Sequence, residues 1–191
     1  ELAEHLATLH PSLMIHSDQC FKGVEDIEKM TRPYLTDDRL FGRRAPFYYA
    51  DFLDADKVKE CREKIKAATG LVIVYGHAAE VVPEADVLVY VDMARWEIQQ
   101  RFRQGKIDGL GVRNREEAPS LHYKRGYFID WNVCDALKKQ LLPKADYWLD
   151  THIPGMPKMI TGETLRAGLE KTARKPFRVV PFFDPAPWGG Q

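Results

Sequence analysis

No G-x-x-x-x-G-K-[ST] loop occurs in the 191 residues, so the chain itself offers no backbone cradle and lysine of the kind that hold nucleotide phosphates. An excess of one charge is also missing, because 28 Lys+Arg balance 28 Asp+Glu. With no global field, neither nucleic acid nor a membrane is an expected partner, and any anion site must be local. Cysteine is scarce. Cys20, Cys61 and Cys134 are odd in number, far apart in sequence and never in a C-x-x-C pair. That excludes a disulfide framework or zinc ribbon and suits a reducing cytoplasm. The six histidines are scattered with no H-E-x-x-H among them, so no metal site is expected within this chain. Long apolar runs are missing too; none reaches the roughly 18 residues of a membrane span.

What is present is ordinary for a globular domain: 45% apolar and 29% charged residues, in a chain long enough for one full α/β domain. Four short apolar runs read as strands: "LMI" at 13–15, "LVIVY" at 71–75, "VLVYV" at 87–91 and "YWL" at 147–149. The second and third are near-continuous and Val/Ile-rich, as in a parallel sheet covered on both faces. Helical spacing lies between them. Val58, Cys61, Ile65 and Ala68 follow a capping Asp54 or Asp56, with Gly70 past the last turn. Ile98 and Phe102 share a face over 94–104. Tyr127, Trp131, Cys134, Leu137 and Leu141 keep helical spacing up to Pro143, and a last helix starts near Thr161. Strands separated by helices predict a three-layer, doubly wound α/β fold with a mainly parallel sheet.

Residues 31–53, aromatic and charged together, read as a loop-rich insertion over a sheet edge. The chain opens inside an amphipathic pattern, with Leu2, Leu6 and Leu9 on one face, and after 174 it turns to proline-punctuated extended sequence. Both ends read as those of a fragment of a longer protein. The domain is therefore placed at 1–174, with 175–191 as a linker into whatever follows.

Four stretches could carry chemistry. In a parallel sheet, ligands bind beyond the carboxyl ends of the strands, and Asp18 lies just beyond 13–15. A carboxylate there can orient magnesium or accept a hydroxyl proton; a turn acid explains it as well. Tyr75, Gly76 and His77 reach the same edge, where His77 reads as a hydrogen-bonded structural histidine, and Asp92 as the cap of the helix after it. In "RFRQGKIDGLGVRNREE", Arg101, Arg103, Arg113 and Arg115 bracket glycines and could close over a phosphate. Asp108, Glu116 and Glu117 dilute that charge. In "DDRLFGRR", Arg39, Arg43 and Arg44 could clamp an acidic acceptor, or simply pair with Asp37 and Asp38.

In order and spacing, "ELAEHLATL", "IHSDQCF", "ADVLVYVDMARWEIQQRFRQG" and "KADYWLDT" resemble successive parts of P-loop kinases of the uridine kinase type. The resemblance covers about residues 1–150. It implies Asp18 as a metal or base residue, Arg101 and Arg103 as lid arginines, and a strand and phosphate loop just before Glu1. "MARWEIQQRFR", "YKRGYFIDWNVCDALKK", "KMITGETLRAGLE" and "PFRVVPFFDPAPWGGQ" resemble the region before the cupin domain in long bacterial proteins of the class I mannose-6-phosphate isomerase type. This second resemblance implies a degenerate kinase-like accessory domain, inactive alone, whose partners are a cupin domain of the same chain and a small phosphorylated ligand. It implies no cofactor in these residues and zinc in the cupin domain, where mannose 6-phosphate and fructose 6-phosphate would interconvert. The rival expectation is an active kinase that binds ATP and magnesium.

Overall fold

A computed structural model describes residues 2–77, 81–82 and 84–176 as a mixed α/β fold. The short helix α1 (Leu2–Ala7) leads into strand β1 (Leu13–His16), a 3-10 turn (Ser17–Cys20) and α2 (Val24–Leu35). A second 3-10 turn (Tyr49–Phe52) precedes α3 (Ala55–Ala67), which returns the chain to β2 (Val72–Tyr75). The second half runs β3 (Val89–Asp92), α4 (Arg95–Arg103), α5 (Pro119–Arg125), a π-helical turn (Gly126–Asp130) and α6 (Trp131–Leu141). It closes with β4 (Tyr147–Asp150), β5 (Lys158–Thr161) and α7 (Gly162–Ala173).

Local chemistry sets several of these boundaries. Asp54 caps α3 by accepting from the backbone N–H groups of Asp56 and Lys57 at 3.0 and 3.1 Å. Thr161 caps α7 through its hydroxyl, which accepts from Thr164 N at 3.2 Å. Helix α6 stops two residues before Pro143.

The strands form two small sheets where one was expected. β1 and β2 pair in parallel, with Leu13 opposite Val72 and His16 opposite Tyr75. β3 and β4 pair in parallel, with Val89 opposite Tyr147 and Asp92 opposite Asp150, and β5 adds antiparallel to β4. Among the described residues, β2 and β3 each keep one edge unpaired. Both strands nevertheless end on the same helix. Cys134 Sγ lies 3.8 Å from His77 Nε2, and Lys138 Nζ lies 2.8 Å from Asp92 Oδ1. Positions 134 and 138 are one helical turn apart on α6, so the ends of the two sheet halves are neighbours.

The larger core gathers Phe21, Ile27, Phe52, Leu110, Ile129 and Val133; a smaller one packs Ile15, Cys20, Val58, Cys61 and Val81. Residues 31–53 do not lie outside the fold as a loose insertion. They begin within α2 and deliver Ala45, Tyr49 and Phe52 to the core. No helix among the described residues is long and apolar enough to cross a membrane. The linker read at 175–191 falls outside the described residues from 177 onward.

Candidate functional site

The carboxyl ends of β1 and β2 bring together His16, Ser17, Asp18, Tyr75, Gly76 and His77. Parallel register makes this unavoidable, because His16 pairs with Tyr75 and whatever follows each strand emerges on the same edge. The His16 ring meets Tyr75 edge to face at 4.7 Å. Its Nδ1 accepts from Asp18 N at 3.2 Å and lies 3.4 Å from Asp18 Oδ1. Asp18 itself stays exposed, its side chain 59% accessible.

Gly76 is required twice over. Its φ of +99° disfavours other residues, and a Cβ there would lie 2.3 Å from Ser17 Oγ. Beneath the turn, the Ser17 and Tyr49 hydroxyls are buried without a well-formed hydrogen bond. Burial drives the Tyr49 phenol well above its usual range, with the nearby Ser17 hydroxyl offsetting only part of that.

His77 packs against Tyr49 at 5.6 Å and against Cys134. It keeps an exposed face, yet the dense protein around it lowers its pKa, with Asp18 pulling the other way. Desolvation, and then the nearby carboxylates of Asp130 and Asp135, push the Cys134 thiol up to about 12. That leaves it a poor nucleophile despite its histidine neighbour. Cys20 and Cys61, distant in sequence, meet at 3.2 Å between sulfurs; burial and then Cys61 push the Cys20 thiol up to about 12.

At the end of β3, Asp92 does not cap α4. The N-cap position is Ala94, with no side-chain bond. Asp92 instead accepts from Lys138 Nζ on both oxygens at 2.8 Å and from Trp148 Nε1 at 3.1 Å. Packing overrides the local preference here, because α6 presents a cation where the carboxylate emerges.

Among the described residues, Asp18 shares no hydrogen bond or ion pair with Arg101, Arg113 or Arg115 of the arginine-rich stretch. Arg101 Nε donates to Glu97 Oε1 at 2.9 Å within α4. Arg115 pairs with Asp108, whose carboxyl is held below its usual range by that guanidinium. Arg103 is exposed and engaged with its surroundings, whereas exposed Arg113 has no partner among the described residues.

The loop between α4 and α5 is stitched to itself and to the core. Gly109 N donates to Asn114 Oδ1 at 2.7 Å, while Asp108 Oδ1 accepts from the N–H groups of Asn114 and Arg115 at 3.0 and 2.8 Å. Leu110 and Val112 enter the main core. Beneath Gly109, Arg125 and Asp130 form a buried ion pair at 3.4 Å, each side chain 5% accessible. Arg125 also reaches Thr31 Oγ1 on α2 at 3.2 Å. A Cβ on Gly109 would come within 2.8 Å of both ion-pair partners, so only glycine lets the loop lie on them.

Nor do Asp37 and Asp38 pair with the neighbouring arginines among the described residues. Asp38 Oδ1 accepts from Leu40 N and Phe41 N, each at 2.7 Å, in a turn of its own. No group of three or more His, Cys, Asp or Glu among the described residues is placed to hold a metal.

Fold and site together define a mixed α/β domain with a polar group gathered at the ends of its parallel strands. The chain belongs to the family described as Domain of unknown function (DUF8485), whose model matches residues 1–174. No curated protein and no solved structure matches it.

Proposed function

We propose that this domain is a degenerate nucleoside-kinase-like module, accessory to a protein of the mannose-6-phosphate isomerase type. The observation that carries the reading is how the charges are used. Arg101 and Arg115, which would serve a phosphate site, are engaged by Glu97 and Asp108. A guanidinium already paired inside the fold has part of its charge and donor set committed, and meets a ligand only with what remains or by breaking that pairing.

The three-layer P-loop-kinase-like architecture is part of the same proposal. It is supported by two parallel strand pairs whose unpaired edges, on β2 and β3, end on one helix. A further strand supplied by chain before Glu1 would join the two halves. In this reading the isomerisation and its zinc belong to a cupin domain after Gln191, in the cytoplasm. The test is deletion in the longer protein: removing residues 1–174 should change isomerase turnover or oligomeric state, while calorimetry with ATP shows no binding. Unchanged turnover and assembly would reject the accessory role.

An active ATP-dependent kinase is the second reading, and exposed Asp18 at the carboxyl end of β1, its backbone N–H held by His16 Nδ1, favours it. It requires a lysine-bearing phosphate loop upstream, magnesium-dependent ATP hydrolysis by the longer chain, and loss of that hydrolysis in Asp18→Asn.

A further inference from the structure

An open cleft of about 460 Å³ lies between α4, α6 and the segment that follows α2. It shares no residue with the strand-end group around Asp18. Successive faces of α6 separate the two, because Cys134 and Lys138 turn to the strand ends while Trp131 and Asp135 line the cleft. The volume lies within the usual range for small-molecule sites.

The walls combine three kinds of group. Trp131 and Tyr127 supply aromatic surface, and Tyr127 is left 57% exposed, so its ring is open to a ligand. The π-helical turn between α5 and α6 sets where these rings project, and π turns recur at functional sites. Gly126 makes room for Trp131, since a Cβ there would come within 2.8 Å of the indole.

Two guanidiniums supply donors. Arg95 lies 4.8 Å above the Trp131 ring, and its Nη2 donates to both Asp135 oxygens at 2.6 and 2.7 Å. That leaves its Nη1 and Nε N–H groups for a ligand. Arg44 is exposed on the cleft wall with no partner among the described residues. Asp135 balances one of the two cations, so Arg44 leaves the site with unmatched positive charge. Asn132 uses its amide N–H on Tyr127 O at 2.9 Å, which keeps its side-chain oxygen available as an acceptor.

We propose that this cleft binds a phosphate monoester carried on a ring-shaped body. The phosphate lies between Arg44 and the free donors of Arg95, and the ring lies against Tyr127 with a hydroxyl or amine donating to Asn132. Guanidinium forks suit the tetrahedral dianion. Stacking against an aromatic face suits either a sugar ring or a nucleobase, and the two sources are separated by experiment. The proposal does not depend on the kinase-like reading.

Calorimetric titration of the 191-residue chain with glucose 6-phosphate, uridine monophosphate and inorganic phosphate tests it. One of the two organic phosphates should bind saturably at millimolar or lower concentration, at least about tenfold more tightly than inorganic phosphate. Arg44→Ala and Tyr127→Ala, both at exposed positions, should each weaken that binding about tenfold with the ligand-free melting temperature unchanged. Binding by the sugar phosphate alone would identify a carbohydrate source, and by the nucleotide alone a nucleotide source. The proposal is overturned if neither organic phosphate saturates, if inorganic phosphate binds as well, or if Arg44→Ala binds like the parent chain. Should Arg44→Ala lower the melting temperature, Arg44→Lys decides: it keeps the charge but loses the fork, and equal binding by it rejects the assigned geometry.

Discussion

At the end of β1, Asp18 keeps its carboxylate in solvent with His16 beside it at 3.4 Å, whereas in and around the loop after α4 Arg101 and Arg115 are held by Glu97 and Asp108. Both regions carry charge that phosphate chemistry can use, but the loop commits Arg101 and Arg115 and leaves Arg113 open, while the strand end leaves its carboxylate open. In the loop, charge works as structure: Asp108 closes its turns, and buried Arg125 beneath it donates to the Leu110 carbonyl. At the strand end, the charged carboxylate stands at the rim, and the polar groups beneath it, the Ser17 and Tyr49 hydroxyls, are uncharged. The contrast separates charge that stabilises the fold from charge free to meet a ligand.

The largest effect that could break this comparison lies at the buried pair. Asp130→Ala leaves the Arg125 guanidinium, 5% accessible, without its counter-charge, and should cost about 3–5 kcal/mol in urea unfolding. Asp18→Ala, at an exposed position, should stay within about 0.5 kcal/mol. Comparable losses at the two sites would show that the strand-end carboxylate is structural after all.

The same pair gives a pH dependence of unusual sign. Desolvation raises the Asp130 carboxyl from 3.8 to about 6, although Arg125 beside it pulls the other way. At acid pH both folded and unfolded chains hold the proton. Between 3.8 and about 6 the unfolded chain releases it first, so this group's contribution to stability falls as pH rises through that window, and is level above it. Asp108, depressed by Arg115, acts in the opposite sense, its stabilisation lost as pH falls. The difference between the parent chain and Asp130→Asn isolates the slope. A parent-minus-variant stability that stayed flat from pH 4 to 6 would contradict the assigned desolvation.

A smaller loss is expected where the two sheet halves meet. Asp92→Asn keeps the shape but removes the charge facing Lys138 and turns one acceptor into a donor; about 1–3 kcal/mol should be lost in thermal unfolding. Lys138→Met in the same background should restore part of it, since the cation left behind is then removed as well.

Much of the scaffold was legible in sequence because it rests on local signals. The runs at 71–75 and 147–149 became β2 and β4, Asp54 caps α3, and Thr161 opens α7. Helix α2 was not legible, because Pro33 and the polar stretch around it read as loop. In the fold, Ile27 and Thr31 are buried, and Thr31 returns its hydroxyl to Ile27 O at 2.8 Å. β5 was missed since "KMIT" is exposed throughout and gains its strand character only by pairing with β4. The site divided along the same line. Asp18 and His77 follow strands and could be placed from the register alone. Tyr49, Cys134 and Lys138 arrive from distant elements, so no spacing in the sequence relates them to that edge.

The smallest effect is also the most direct test of how the loop is held. Asp108 accepts from two backbone N–H groups, Asn114 and Arg115, while its other oxygen takes the Arg115 side chain. Asp108→Ala deprives both amides of their acceptor without touching the core contacts of Leu110 and Val112. Hydrogen exchange at Asn114 and Arg115 should then quicken by about tenfold, the equivalent of one net hydrogen bond, with global stability little changed. Arg113→Ala, whose side chain has no partner among the described residues, should leave the same amides as slow as in the parent chain. If Arg113→Ala loosened the loop as much as Asp108→Ala, the division between committed and free charge would fail within this segment. If neither did, the loop would be held by Leu110 and Val112 alone, and the charges around it would be available to a ligand.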